Sequence, residues 1–324
     1  QILSAVVGAL LAATGAVNWL NSIEAETYTP ANFFSILFVY LALLWYKNKE
    51  DRSSLRFLLA VLYLIILGTG IHLTDLFALP AVFAFVAFVE PKLIFTTPFW
   101  GLAGALGALL TALKHPYEPS IASTVLGVIS IALMLYYFWK EGAFGDWTSP
   151  TTLLFLASAA AMAWGLFAKH NVFLVIGCLA SFALVYVKGK LWRDWRGLGL
   201  LLMILAFTPE FWLIVRAWYL HHHPTEVRMN EADPYTWQAF MDVLTRKQYE
   251  PAKMFPRRVP WGIQMKVYWL YLVWQYPQIV LPLVFASIVG LTTHWQRDRK
   301  TLVLVGLTLF FALVGFFIAF NLKD

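Results

Sequence analysis

The sequence predicts an all-α fold, a polytopic membrane helix bundle of about eleven transmembrane helices with one long external loop. Hydrophobic residues make up 60% of the 324 positions and charged residues only 13%, and the mean hydropathy is +0.68. One soluble core cannot bury so much apolar surface. Apolar runs of the length that crosses a bilayer, about 20 residues, recur along the chain. We therefore expect a single transmembrane domain over residues 1–324, with a polar loop at 220–263.

The apolar segments define the candidate spans, and some are short enough to imply tilt or burial within the protein. They lie near residues 1–20, 31–46, 56–72, 76–90, 97–113, 120–139, 150–168, 171–187, 197–219, 264–290 and 301–321. The first segment opens at Gln1 without a charged leader, and the chain stops as the last segment ends. We therefore expect an internal portion of a longer protein, or a form trimmed at both ends.

The basic residues predict the orientation of the spans. A formal net charge of +6 would suggest a nucleic-acid partner in a soluble protein, but Lys and Arg are concentrated in short loops near residues 47–56, 188–196 and 297–300. With this number of spans the three loops fall on one side, which the positive-inside rule makes cytoplasmic. The loops at 21–30 and 220–263 are then external. We expect membrane lipids as partners and no nucleic acid.

Two carboxylates, Glu24 and Glu26, lie in the first external loop at the membrane boundary. A carboxylate in that setting suits binding of a divalent cation or general-base catalysis. The alternative is that both are solvated charges, favoured by the dipole of the helix that begins near Pro30.

A polar turn at His72 and Asp75 interrupts the third and fourth apolar segments on the same outer side. The two side chains suit an ion pair, a proton relay or a contact with phosphate. A capped turn is the alternative, with Thr74 or Asp75 as the N-cap of the next helix. We interpret Asp75 chiefly as a cap and His72 as a site residue.

Arg216 lies near the outer end of the ninth apolar segment, where a guanidinium offers a planar set of donors to a phosphate or diphosphate head group. The alternatives are snorkelling and a structural pair with Glu210. A spacing of six residues does not place Glu210 and Arg216 on one helical face, which argues against the pair.

The long external loop carries several further polar groups. His221, His222 and His223 suit a polar surface better than a zinc site, because consecutive side chains point in different directions and no His-x-x-x-His motif follows. Asn230, Glu231 and Asp233 provide an amide and two carboxylates. A basic rim that suits anionic lipid head groups consists of Arg246, Lys247, Arg257 and Arg258.

Three blocks of residues follow the order of motifs in a known family. The first, Glu24 to Asn32, is similar to an Ala-Glu-Val-Tyr-x-x-Asn motif, and the second, Gly70 to Pro80, to a Gly-x-His-Leu-x-x-Leu-x-x-Leu-Pro turn. The third comprises Val215-Arg216-Ala217, Met229 to Pro234 and Arg246 to Tyr249, which are similar to Ile-Arg-Ala, Asn-Glu-x-Asp-Pro and Arg-Glu-Gln-Tyr-Gly elements. Over about residues 1–270 the chain thereby resembles a large bacterial family of multi-pass membrane proteins of unassigned function, related to the protein O-mannosyltransferases.

The resemblance implies a GT-C type glycosyltransferase, a helix bundle whose outer pocket takes a sugar from a polyprenyl-phosphate carrier. Such an enzyme needs a carboxylate to deprotonate the acceptor hydroxyl and cations to stabilise the departing phosphate. In relatives the leading carboxylates belong to a Trp-Asp-Ser-Gly-Glu type motif after the first span, which this sequence lacks, and Lys247 and Glu250 replace the Glu and Gly of the last element. Either the catalytic base lies outside this sequence or the protein is not an active transferase.

We expect sugar transfer from a polyprenyl-phosphate donor to an acceptor on the outer side of a bacterial inner membrane. The alternative is a non-catalytic scaffold or accessory subunit, bound to other membrane subunits in a larger complex. The lipid-linked sugar is a substrate, and the one cofactor left open is a divalent cation. The residues expected to be catalytic are Glu24, Glu26 and His72, and those expected to bind substrate are Tyr28, Asn32, Asp75, Arg216, Asn230, Glu231 and Asp233.

Overall fold

The protein is helical wherever its structure is described. The computed structural model describes residues 2–15, 28–72, 78–94, 121–140, 147–168, 171–188, 190, 193–223, 233–244, 257–276 and 278–319. Its helices are α1 (Ile2–Thr14), α2 (Tyr28–Lys47), α3 (Leu55–Gly68), α4 (Ala78–Val89), α5 (Pro91–Ile94), α6 (Ile121–Lys140), α7 (Pro150–Phe167), α8 (Asn171–Lys188), α9 (Trp195–Phe207), α10 (Phe211–His222), α11 (Trp237–Leu244), α12 (Trp261–Gln275), α13 (Val280–Arg297) and α14 (Arg299–Ala319). These ranges contain no strand, which confirms the all-α prediction.

Several of these helices are long and apolar enough to cross a membrane. Three meet that requirement alone, Thr29–Lys47, Pro150–Phe167 and Gly197–His222, and the bent pair α12 and α13 is a fourth if it forms one span. The predicted segment at 97–113 lies outside the described residues. Helices long and apolar enough to span a membrane are therefore confirmed, whereas the number of about eleven spans and the GT-C fold stay predictions.

The predicted span at 264–290 differs from the structure, which has two helices there. Helices α12 and α13 are bent by 104° at a short break. The backbone leaves the helical region at Tyr276, where φ is −136° and ψ is 62°. Tyr276 precedes Pro277 in the sequence, and the residue before a proline disfavours the α conformation because of the proline ring. This preference explains why the helix ends at Tyr276, although the hydrophobicity of the segment does not indicate a break there.

The chain divides into two compact units. One consists of residues 1–89, 206–235 and 242–324, and the other of residues 90–205 and 236–241. The prediction of a single transmembrane domain stays a prediction.

In the first unit, α2 packs against α3 and α4, and α14 packs against α4. Phe38, Ala42 and Trp45 are fully or almost fully buried, and their spacing of four and three residues places them on one face of α2. The Trp45 ring meets Phe85 of α4 edge to face, with 6.2 Å between centroids. Such aromatic pairs contribute about 0.5–1.5 kcal/mol beyond the burial of their area.

A short polar turn joins α2 to α3. The Asp51 carboxylate accepts hydrogen bonds from the Ser53 backbone N–H at 2.9 Å and from the Ser53 hydroxyl at 2.5 Å. These bonds hold the pKa of Asp51 below its usual value, because they stabilise the charged form. The side chain thereby caps the 3₁₀ turn Arg52–Ser54, from which α3 begins.

In the second unit, α7 and α8 form the closest helix pair, and small residues allow the approach. A Cβ atom on Gly177 would lie 2.5 Å from the backbone nitrogen of Met162 and 2.8 Å from the carbonyl oxygen of Ser158. The buried Ser181 hydroxyl donates to the Ser158 hydroxyl across the pair at 3.0 Å. Small residues and interhelical hydrogen bonds are the usual means by which helices associate in lipid, where hydrophobicity does not drive them together.

Replacing Gly177 with Ala is therefore expected to destabilise the α7–α8 pair. The added methyl group meets backbone atoms that cannot move independently, and such overpacking costs about 1–3 kcal/mol of unfolding free energy. Gly290→Ala in α13 is the matched control, since nothing lies within 4 Å of its Cβ position. Thermal unfolding of the purified protein in detergent measures both, and a Gly177→Ala variant as stable as the control would contradict this packing.

Candidate functional site

The predicted site residues that the structure describes are Tyr28, Asn32, His72, Arg216 and Asp233, and all five belong to the first compact unit. The placements of Glu24, Glu26, Asp75, Asn230 and Glu231 stay predictions, because these residues lie outside the described ranges.

The first motif enters α2 earlier than the apolar pattern indicates. The helix begins at Tyr28, whereas the predicted span begins at residue 31. Asn32 is exposed, one helical turn after the first residue of α2. Its amide is therefore accessible at the end of α2 that adjoins the predicted external loop.

His72 stands at the end of a tight turn that terminates α3. The backbone N–H groups of Ile71 and His72 both donate to the Gly68 carbonyl, at 2.8 and 2.9 Å. The Thr69 hydroxyl donates to the Ile66 carbonyl at 2.7 Å. These bonds satisfy carbonyl groups that the end of a helix would leave without partners. The turn is thereby well defined, and it holds His72 in a half-buried position.

The carboxylate of Glu210 lies directly against this turn. A Cβ atom on Gly70 would lie only 2.8 Å from Glu210 Oε1 and 3.8 Å from its carboxyl carbon. The carboxylate thus occupies the space that a side chain at position 70 would take. Only glycine at position 70 allows the approach without displacing Glu210.

Glu210 lies at a break in a long apolar helix. The 3₁₀ turn Thr208–Glu210 separates α9 from α10 within the candidate span Gly197–His222. Proline at position 209 has no N–H to donate, which favours such a break. Glu210 precedes α10 but its side chain makes no capping hydrogen bond. It is half-buried, and it is the only acidic residue in the candidate spans of the described chain.

Arg216 occupies a different face of α10. Ala217 and Leu220 are buried and define the inward face of this helix. Glu210 is seven residues, or about two turns, before Ala217, so it shares that face. Arg216 is exposed and forms no ion pair with any residue in the described ranges. The described contacts join the His72 turn to Glu210 and not to Arg216, whose role in binding a phosphate stays a prediction.

The three histidines at the end of α10 have separate partners. His221 Nε2 contacts both Asp233 carboxylate oxygens, at 2.9 and 3.2 Å, and its ring stacks on Tyr235 with 4.1 Å between centroids. His222 and His223 instead donate through Nδ1 to backbone carbonyls one turn earlier in α10. Among the residues that the structure covers, no three His, Cys, Asp or Glu side chains converge as metal ligands would.

Asp233 is held against the end of α10 by its pair with His221. Its backbone has φ of 41°, in the left-handed region that Asp tolerates better than most residues. A substrate contact of Asp233 would have to coexist with this pair or replace it.

Arg257, assigned to a lipid-facing rim by its sequence context, is half-buried and holds two helices together. Its guanidinium donates to the Phe317 carbonyl near the end of α14 at 3.0 Å, and also to the Gln264 side chain. It lies 4.2 Å from the centre of the Trp261 ring. A cation suits the C-terminal end of a helix, where the last carbonyls lack partners within the helix.

The sequence pattern does not predict Glu210 as a site residue and relates it only to Arg216, because Gly70 and Glu210 are far apart in sequence and no pattern links them. One signal was present in the sequence, a single carboxylate in the middle of a long apolar run, since ionisable residues in such runs are usually functional. Chemically, the described site offers a carboxylate beside a turn that bears an imidazole, which suits proton transfer.

A comparison with known families finds one similarity. The family described as protein O-mannosyl-transferase TMEM260 N-terminal domain matches residues 1–94. The matched stretch includes α2, α3 and the His72 turn. No curated protein and no solved structure matches the chain significantly.

Replacing Arg257 with Ala is expected to lower the free energy of unfolding by about 2–3 kcal/mol, because charge-assisted hydrogen bonds and a cation–π contact are lost together. Lys266→Ala removes an exposed cation of α12 and serves as the control. Thermal unfolding of both variants checks this expectation. Equal stability would show that Arg257 belongs to a surface rim after all.

Proposed function

We propose that the protein is a GT-C-like membrane glycosyltransferase that moves a sugar from a polyprenyl-phosphate donor to an acceptor hydroxyl on the outer side of the membrane. The observation that carries the proposal is the Glu210 carboxylate held against the Gly70–His72 turn between apolar helices. Even a half-buried ionisable group is costly in an apolar segment and is usually retained for chemistry.

The similarity over residues 1–94 supports the class of reaction. The matched family is named for protein O-mannosyl transfer, so mannose is the first donor sugar to test and a protein hydroxyl the first acceptor. The Gly70–His72 turn belongs to the matched stretch, and Glu210 contacts it from a different part of the chain. The contact of the Glu210 carboxylate with Gly70 therefore involves the matched stretch.

The reaction also needs a cation to receive the phosphate that leaves with the lipid carrier. Arg216 is suited to this role because it is exposed and unpaired among the described residues, close to the outer polar end of α10. A guanidinium binds phosphate oxygens through two parallel hydrogen bonds. An exposed face of α10 is also the face that a lipid-linked donor reaches from the bilayer. We propose a bacterial inner membrane as the setting, since the resemblance is to bacterial proteins.

Arg216→Ala is expected to abolish transfer from mannosyl-phospho-polyprenol in reconstituted vesicles while leaving the protein folded. Removing one hydrogen-bond donor that stabilises the charge of a transition state typically costs about 10²–10³-fold in kcat, and the alanine variant loses both donors of the guanidinium together with its charge. Arg216→Lys should recover only part of the activity, because an ammonium group lacks the planar pair of donors. Transfer of radiolabelled mannose from the donor to a peptide acceptor measures the rate.

Lys266→Ala is the matched control, as it removes another exposed cation from a candidate span. Full turnover by Arg216→Ala would remove Arg216 from the donor site. If the wild-type protein neither binds nor uses any polyprenyl-phosphate sugar and purifies with other membrane subunits, the scaffold function replaces the transferase.

A further inference from the structure

We infer that Glu210 is a catalytic residue of the transfer step, the carboxylate that accepts the proton of the acceptor hydroxyl, and that Gly70 is the residue that makes room for it. This inference rests on the proposed function. In the step, the acceptor O–H bond breaks and its proton passes to Glu210. The acceptor oxygen bonds to C1 of the sugar, and the bond from C1 to the phosphate oxygen breaks with its electron pair leaving on the phosphate.

The charge of Glu210 lies at an unusual position. Glu210 is alone among acidic residues in the described candidate spans, near the middle of the 26-residue apolar span Gly197–His222. A carboxylate in hydrocarbon costs free energy unless it is buried in protein or faces a watery cavity. Its retention there needs a reason other than solubility.

Helix capping, a common structural role for an acidic residue at this position, does not account for the Glu210 side chain. A glutamate just before a helix ordinarily serves as a cap or favours the helix dipole. The Glu210 side chain makes no capping hydrogen bond to α10. It extends instead to the turn after α3, more than 130 residues away in sequence. The contact therefore serves the arrangement of this turn rather than the start of the helix.

Position 70 determines the space beside one oxygen of the carboxylate. It is exposed and lacks a side chain, and Glu210 Oε1 lies 2.8 Å from the place that its Cβ atom would take. A larger residue would fill the space next to Oε1. A general base needs the acceptor within about 3 Å of its oxygen, which a side chain at position 70 would hinder.

The turn that Glu210 contacts follows a short helix. Helix α3 has 14 residues, which gives a length of about 21 Å, and it begins beside the basic residues Arg52 and Arg56. The hydrocarbon layer is about 30 Å thick. With these basic residues at the cytoplasmic surface, as the positive-inside rule predicts, a helix of this length ends short of the outer surface. Charges at such a depth interact strongly because the dielectric constant is low.

The depth of Glu210 determines how the two substrates reach it. The acceptor must reach a recessed carboxylate through an opening on the outer side, while the lipid-linked donor arrives from the bilayer. The chain offers a clean test of this opening, because its one cysteine, Cys178, is buried. An Ile71→Cys variant should react from outside with a membrane-impermeant cationic thiosulfonate. Wild-type protein should not.

The decisive experiment compares variants of the whole protein reconstituted in vesicles, with mannosyl-phospho-polyprenol as donor and a Ser/Thr peptide as acceptor. Glu210→Gln keeps the shape of the side chain and removes its basicity. We expect kcat to fall by about 10²–10⁴-fold, with donor binding and the unfolding temperature unchanged. A purely structural role would instead lower the unfolding temperature and spare kcat in the folded fraction.

Gly70→Ala is the second variant, and it keeps a glutamate at position 210. Its Cβ would meet the flexible end of the Glu210 side chain, so the carboxylate moves while the backbone stays folded. We expect kcat to fall by about tenfold, since small displacements of a reacting group are costly. Gly262→Ala, at a position with nothing within 4 Å, and Glu50→Gln, at an exposed carboxylate, are the controls.

The outcomes separate the two proposals. A wild-type protein that fails to bind or use the donor refutes the transferase function itself. An active wild type with fully active Glu210→Gln and Gly70→Ala variants refutes only the role of Glu210. Labelling of Ile71→Cys exclusively from the cytoplasmic side refutes the outer opening, and with it the path of the acceptor to Glu210.

Discussion

The approach of the Glu210 carboxylate to the backbone at Gly70 is the constraint on which the candidate site depends. An apolar helix bundle cannot leave a carboxylate in hydrocarbon, so the charge must lie against polar backbone or water. The break at Thr208–Glu210 and the turn after α3 provide such a place in the first unit. A side chain at position 70 would remove it. The site therefore depends on one charged residue, Glu210, and on one residue without a side chain, Gly70.

Close approach at residues with small side chains also organises helix packing in the second unit. Lipid tails are as apolar as leucine, so hydrophobicity does not bring helices together in a membrane, and close contact must do so. Gly165 and Gly177 let α7 and α8 approach until backbone meets backbone or side chain, and Ser158 and Ser181 add a hydrogen bond. In the first unit, large aromatic side chains make the contact between helices instead, with Trp45 and Phe85 packed edge to face.

The sequence resembles a family related to the protein O-mannosyltransferases, and the family match covers residues 1–94, which include two of the three blocks behind the resemblance, Glu24–Asn32 and Gly70–Pro80. Within the matched stretch the structure describes the His72 turn in detail. Beyond it, Arg257 shows how context changes a role. Its charge suggested a lipid-facing rim, yet its guanidinium is directed to the end of α14, because an unsatisfied carbonyl at a helix terminus attracts a cation as well as a lipid head group does.

The sequence alone determined that the protein is helical and has segments apolar enough to span a membrane, because each spanning segment must satisfy its own backbone hydrogen bonds and therefore appears as a local apolar run. It also identified the turn at His72 and the position of Arg216 near a helix end. Only the tertiary structure decided that Glu210 contacts Gly70, that Asp233 pairs with His221 and that Arg257 reaches Phe317. These contacts join residues far apart along the chain, or across a loop, and no local period encodes them. Their partners are selected by the shape of the packed helices, which exists only once the chain has folded.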